Sequence, residues 1–457
     1  MSRRSSAHDA SQKIPTPTAP GIADQTLAIQ DPPESPVTVS TATVLEDVTE
    51  SVSAKWIWLM VIAQFGTFVA FITPLAISLS IRLQALAPGH EEYLGYITGA
   101  GAGWVVLTAP FFGVLSDRTR TRIGRRKPFT IVGMLVGIVA LFVMATAPSV
   151  FVLGVGWVLA QAGWGQVLAS LTNRTADRLP EQQRGKVAGL IGFATQVAPV
   201  LGVVAAGSFA SNALLLFLVP GAIGVVLTLL FILFVGEPDS RRMKFPPLSI
   251  GSTLKKFVFN PRQYPDYGWN WLGRFFFYFG LSLNTTFTAF FFAQRLDLTL
   301  TAVAGLIAIV SVGGILTTTL GAIGGGFLSD KLRRRRVFVF LSGILFALGA
   351  VVMAFSYDLP LLIAGSLISS IGVGMFSAVD QALLLDVLPE RETDAGRFMG
   401  ITGFATSVPQ AVAPLLAPVF LLLGATGGEK NYTILYLLAG VCTLIGGFLA
   451  TRIKSVR

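Results

Sequence analysis

After Trp56 the chain is almost entirely a succession of apolar runs, each near the roughly 20 residues needed to cross a bilayer as a helix. Twelve runs are predicted, at about 56–86, 94–115, 129–147, 150–173, 185–208, 213–235, 269–294, 302–328, 337–356, 360–385, 397–424 and 432–453. Backbone groups in hydrocarbon must be hydrogen-bonded internally, which leaves helices or closed barrels. The runs are long and show no period-2 alternation, so barrel strands are excluded. The expected fold is an all-α membrane protein with twelve transmembrane helices, its partner the lipid bilayer. Composition agrees: 53% of residues are apolar, 13% are charged and mean hydropathy is +0.69, too little polar surface to cover a soluble globule.

Twelve is even, so both termini face the same side. Of the 34 basic residues, only Arg82, Arg295 and Lys430 fall in the turns that follow odd-numbered spans. The loop between spans 2 and 3 holds Arg118, Arg120, Arg122, Arg125, Arg126 and Lys127, and that between spans 8 and 9 holds Lys331 and Arg333 to Arg336. Positive loops stay in the cytoplasm, so both termini are expected there, in a cell (plasma or inner) membrane. The net charge of +10 is thereby a mark of topology, and nucleic acid is not an expected partner. Residues 1–53 are rich in Pro, Ser and Thr and cannot bury apolar surface, which predicts a disordered cytoplasmic tail.

One cysteine, Cys442, and two histidines, His8 and His90, leave no material for a disulfide framework or a Cys/His metal site. Neither a Walker loop nor a Gly-x-Ser-x-Gly elbow occurs. No cofactor, no metal and no enzymatic activity are expected.

Three blocks recur in order. Gly113-Val-Leu-Ser116-Asp117-Arg118 returns as Gly326-Phe-Leu-Ser329-Asp330-Lys331. Asp177-Arg-Leu-Pro180-Glu181 returns as Asp386-Val-Leu-Pro389-Glu390, and Gly192-Phe-Ala-Thr195 as Gly403-Phe-Ala-Thr406. The displacement stays near about 210 residues, the mark of an internal duplication. The organisation predicted is a six-helix bundle at 54–235, a cytoplasmic linker at 236–268 and a second six-helix bundle at 269–457, in parallel repeat.

The segment Gly113-x-x-Ser116-Asp117-Arg118 followed by Gly124-Arg125-Arg126-Lys127-Pro128 resembles the signature of the major facilitator superfamily between helices 2 and 3. Four extra residues, Thr119 to Arg122, bring it closer to the glycoside–pentoside–hexuronide:cation symporters and sucrose-type transporters. Asn260-Pro261 through Arg274, and Ala378-Val-Asp380-Gln-Ala382, are similar to bacterial members of that group. The resemblance implies alternating access and a cytoplasmic latch built on Gly113, Asp117, Arg118, Gly124, Arg125 and Arg126. A weaker copy falls at Gly326, Asp330 and Lys331, where Arg333 replaces the expected glycine. It also implies that helices 1, 4, 7 and 10 line a central cavity.

Asp380 is the only acid inside a predicted span, and Arg274 lies at the same depth on span 7. An ionisable residue at membrane depth calls for a partner and marks a candidate gate or proton-coupling pair. Cavity candidates are Gln64 and Thr73 in span 1, Trp157, Gln161, Trp164 and Gln166 in span 4, and Tyr278, Asn284 and Thr285 in span 7. Amides and hydroxyls suit sugar hydroxyls, and indole faces suit pyranose rings. Gly99 and Gly103 are expected at close helix contacts, and Pro199, Pro409, Pro414 and Pro418 at kinks that shape the cavity. The function expected is secondary transport of a sugar or glycoside by a monomer, with H+ as coupling ion through Asp380. The competing reading is export of amphiphilic compounds, prompted by Phe275–Phe277 and Phe290–Phe292. No acid occurs in spans 1, 2 or 4, which argues against sodium coupling of the kind the family places there.

Overall fold

The computed structural model describes residues 51–241, 258–391, 394–425 and 429–456. Most of the predicted tail and the middle of the linker lie outside the described residues. Within them the chain forms α1 (Ala54–Leu86), α2 (Tyr93–Arg118), α3 (Lys127–Thr146), α4 (Val150–Arg178), α5 (Glu181–Gly207) and α6 (Ala213–Phe234). The second set is α7 (Pro265–Thr286, continued as Thr288–Leu296), α8 (Leu300–Leu332), α9 (Arg335–Phe355), α10 (Leu359–Val387), α11 (Ala395–Leu422) and α12 (Tyr432–Ala450). Among the described residues eleven helices are long and apolar enough to cross a membrane, and α7, a pair bent by 50°, makes twelve when counted as one span. We call the side bearing the start of α1 and the end of α12 the terminal side, and its opposite the far side.

Local chemistry sets the far-side turns. Ser149, Asn212, Thr299, Asp358 and Asn431 each accept backbone N–H groups at the starts of α4, α6, α8, α10 and α12. Such caps satisfy donors that the helix itself leaves open. Arg82 donates to the carbonyl of Ala147 at the end of α3, and Arg295 does the same for Ala354 at the end of α9. These are repeat-related positions, so the duplication extends to helix ends that the recurring blocks do not include.

Packing carries the same symmetry. In the first half α1 meets α5 and α6, α3 meets α4 and α6, and α2 meets α4. The second half repeats each contact: α7 with α11 and α12, α9 with α10 and α12, α8 with α10. Between halves the main contacts are again a related pair, α2 with α11 and α5 with α8.

Two departures from regular helix are also repeat-related. Proline at 74 removes one backbone donor, and α1 passes through a π-turn over Pro74–Ser78. One repeat onward, α7 breaks at Phe287 between its two segments. Hydropathy alone makes each of these a single continuous span.

The halves touch on the far side and part on the terminal side. A Cβ on Gly95 would sit 2.2 Å from the Pro414 carbonyl, and one on Gly99 would sit 2.4 Å from Leu415. Gly99 thus meets its expectation. Gly103 and Gly113, further toward the terminal side, have no atom within 4 Å of a built Cβ, because there α2 and α11 have separated. A cleft of about 270 Å³ opens between Val105, Ala109 and Pro110 of α2 and Gly400, Gly403 and Ser407 of α11. The four prolines expected at kinks lie inside continuous helices, and Pro414 also reaches the cavity wall.

Candidate functional site

A cavity of about 540 Å³ lies between the halves. The first half contributes Ile72, Leu75 and Ala76 from α1, Thr98 and Ala102 from α2, and Trp157 and Gln161 from α4. The second contributes Tyr278, Ser282, Thr285, Thr286 and Thr288 from α7, Ser311 from α8, and Gln410 from α11. The π-turn places Leu75 and Ala76 at the wall. Of the nine predicted cavity residues, Trp157, Gln161, Tyr278 and Thr285 line it.

The others are elsewhere. Gln64 is buried within the first half. Thr73 is fully buried against α5, where Gly202 leaves room for its hydroxyl. Trp164 packs into the groove that Gly137 opens on α3, and Gln166 faces Ser170 on its own helix. Asn284 lines an adjoining chamber instead. The indole-face expectation also fails, since Trp157 is fully buried and stacked on Phe71 at 5.8 Å. A tryptophan in a span is as readily a packing residue as a platform, and sequence does not distinguish the two. The polar wall that sequence missed, Thr98, Ser282, Thr286, Ser311 and Gln410, sits in apolar runs as isolated hydroxyls and one amide. No sequence signal marks α2 and α8 as lining helices, and α11 is marked only by the prolines expected to shape the cavity. Helix α10 contributes nothing to this cavity, against the expectation from resemblance.

Asp380 and Arg274 do meet. The Arg274 Nη2 and Nε lie 2.6 and 2.7 Å from Asp380 Oδ2, and Asn270 donates to Oδ1 at 2.9 Å. Asp380 is 2% exposed. Arg274 also reaches Gln381 at 3.3 Å. The cluster joins α7 to α10 within one half, one turn of α7 below Tyr278 toward the terminal side. Rocking the halves as rigid bodies would leave the pair intact.

The signature residues form a second cluster, within the first half. Arg126, 5% exposed, bridges Asp117 at 2.5 Å and Asp177 at 3.1 Å and donates to Ser116 at 2.9 Å. Arg125 adds a pair with Asp177 at 2.8 Å. Glu237 accepts the backbone N–H groups of Arg125, Arg126 and Lys127, capping the start of α3 with a negative charge where the helix dipole favours one. Gly124 has φ of 93°, and a Cβ there would lie 2.2 Å from Glu237, so only glycine fits this loop. The second half repeats the bridge with Arg335, which reaches Asp330 at 3.1 Å and Asp386 at 2.5 Å. Among the described residues neither Arg118 nor Lys331 forms an ion pair; the bridging arginines are Arg126 and, in the second half, Arg335, which sequence did not single out. Arg333, standing where the motif has glycine, still adopts a left-handed φ of 52°. Asp177 and Asp386 are legible in sequence as the first residues of a recurring block but not as partners of the arginines.

A third cluster, unforeseen, closes the far side. Lys430, just before α12, lies 2.8 Å from Glu92, just before α2, with both side chains about nine-tenths buried. The Tyr432 hydroxyl donates to Glu91, and His90 Nδ1 lies 3.0 Å from Glu92. Gln294, at the end of α7, holds the Lys430 backbone. Burial pushes the Glu91 carboxyl above its ordinary range. Burial also pushes Glu92 upward, but hydrogen bonds from Lys430 and His90 outweigh it and hold that carboxyl low. Loop acids next to an apolar run read as solvated in sequence, which is why this cross-half contact is invisible there.

The sequence profile of the Major Facilitator Superfamily matches residues 56–325 and 315–456. A general alpha-glucoside permease from Schizosaccharomyces pombe is 38% identical over 78 residues, 17% of this chain and 13% of that protein. An arabinose-proton symporter from Bacillus subtilis is 31% identical over 84 residues, 18% of this chain and 17% of that protein. These matches therefore span under a fifth of the relatives' length. The crystal structure of the nucleoside transporter NupG superposes with a TM-score of 0.70 at 12% identity, covering 87% of this chain and 98% of that one, which is a likeness of fold.

Proposed function

Because the chain belongs to the Major Facilitator Superfamily, we propose that it moves a sugar or glycoside across the cell membrane by alternating access, coupled to protons. The observation that carries this reading is the cavity between the halves: hydroxyls and amides line it, the far side is sealed, and the terminal side is parted. Amides and hydroxyls can both donate to and accept from a polyol. The names of the partial relatives, an alpha-glucoside permease and an arabinose-proton symporter, support the same class. Export of amphiphiles is less well supported, since no phenylalanine lines this cavity, and Phe290, Phe291 and Phe292 are buried in the core. We read the terminal side as cytoplasmic from its basic loops, so the structure is an inward-open state. Purified protein in liposomes should accumulate arabinose or an α-glucoside when the lumen is made alkaline. The reading fails if no sugar, glycoside or cyclitol in a broad panel is moved or raises the melting temperature.

The latch role of Gly113, Asp117, Arg118 and their second-half counterparts is part of this proposal. With the cleft open, Asp117 is 54% exposed and pairs only within its own half. On closure α11 would approach it across the cleft. Asp117→Asn should slow turnover several-fold at saturating substrate with little change in affinity. A loss of affinity with unchanged turnover would contradict the latch.

A further inference from the structure

Behind the central cavity, inside the second half, lies a chamber of about 230 Å³. The two share Leu281, Thr285 and Thr288 of α7 and Ile307 and Ser311 of α8, so they adjoin between those helices. Helix α10, absent from the cavity wall, supplies Ser366, Ser369 and Ser370 here. Gly314 on α8 keeps the approach to Ser370 open, since a Cβ there would stand 3.4 Å from its hydroxyl.

Hydrogen bonding in the chamber is one-sided. Thr285, Thr288, Ser366, Ser369 and Ser370 all donate their hydroxyl protons to backbone carbonyls, at 2.8 to 3.3 Å. Their oxygens are left to accept, although Thr288 also meets Tyr436, and Ser311 on the opposite wall can do either. Asn284 lines the same space, and its amide nitrogen, packed just behind the wall, has no partner among the described residues, so that turning the amide would bring a free donor to the chamber. A buried donor without a partner costs on the order of 1–3 kcal/mol, so a ligand group that satisfies it is favoured. What fits is a group with several O–H donors and one acceptor. An ammonium or metal cation fits less well, because no carboxylate lines the chamber to offset its desolvation.

We propose that this chamber is a second subsite that takes one hydroxylated edge of the transported solute, read by Asn284 and Ser370. The proposal rests on the polyol reading above and deepens it, since selectivity among sugars would be decided inside the second half. A site built to hydrogen-bond a hydroxyl discriminates strongly against the analogue that lacks it. The test uses purified full-length protein and whichever of arabinose, myo-inositol or methyl α-glucoside binds the parent, with the monodeoxy analogues of that sugar. For at least one hydroxyl, deletion should weaken binding to the parent tenfold or more, and binding to Asn284→Leu less than threefold. Ser370→Ala, a smaller change that guards against misfolding of the first variant, should erase the penalty for the same or an adjacent hydroxyl. If the parent and both variants show equal penalties at every position, the chamber is not a subsite even though sugar binds. If none of the sugars binds the parent, the polyol reading falls first and the subsite with it.

Discussion

Arg274→Ala is expected to leave little folded protein, and adding Asp380→Asn to the same chain is expected to restore it. Asp380 is 2% exposed and draws its compensation from Arg274 and Asn270. Removing one partner of a buried pair costs about 3–5 kcal/mol, because the remaining charge is stranded. That is a large part of the roughly 5–15 kcal/mol that holds a typical domain folded. Melting temperature and yield in detergent provide the measurement. A double variant no more stable than Arg274→Ala would mean that the stranded charge is not the cause. In Asp380→Asn alone the new amide oxygen can still accept from Arg274, and Asn270 keeps a bond by turning its amide so that its otherwise unpartnered Oδ1 accepts from the new NH2, so folding and substrate exchange should survive. Uphill accumulation should not, if Asp380 carries the proton. Because both residues belong to one half, proton access requires α7 to shift against α10, a smaller motion than rocking the halves. Accumulation by Asp380→Asn at the parent's level would place coupling elsewhere.

Lys430→Met should open the far side. Glu92 would remain nine-tenths buried with only His90 beside it, and the closed state would lose its main cross-half ion pair. An Ala102→Cys reporter in the cavity can be labelled by a membrane-impermeant maleimide added outside cells, against a native background of one buried thiol, Cys442. Labelling should accelerate tenfold or more in Lys430→Met. An unchanged rate would remove the gate from the mechanism. Arg122→Cys, on the terminal side, should label only after permeabilisation, which tests the orientation in the same cells. Acidity acts through Glu91. Closure raises its pKa, so the closed form binds the proton more tightly, and lowering pH from 7 toward 5 should favour closure and slow labelling. Glu92 acts oppositely, but its lowered pKa confines that effect to more acidic conditions. Glu91→Gln should flatten the response between pH 7 and 5.

What the sequence revealed followed from strong, local signals. Span length and hydropathy located twelve crossings, and the depth of Asp380 and Arg274 from the terminal-side ends foretold their contact. The recurring blocks contain the matched acids Asp117 and Asp330, Asp177 and Asp386, but not Arg126 and Arg335, which bridge them. Hidden from it were features that depend on which face a helix turns inward. Trp164 and Gln64 have the right chemistry on the wrong face, whereas Ser311 lines the cavity from a helix that gave no reason to look, and Gln410 from one marked only by its prolines. The π-turn after Thr73 had a proline to mark it. The break at Phe287 had none, and only the duplication links the two.

The Glu237 cap has a consequence for how the chain is made. Its carboxylate holds the start of α3, yet it lies 111 residues after Arg126. At roughly 5–20 residues per second, a ribosome needs about 5–20 s to deliver it. Through that interval α3 is synthesised and its first amides have no such acceptor. The loop that Gly124 shapes can take its final form only once α6 has been translated, so the last helix of the first half completes the entrance to the third.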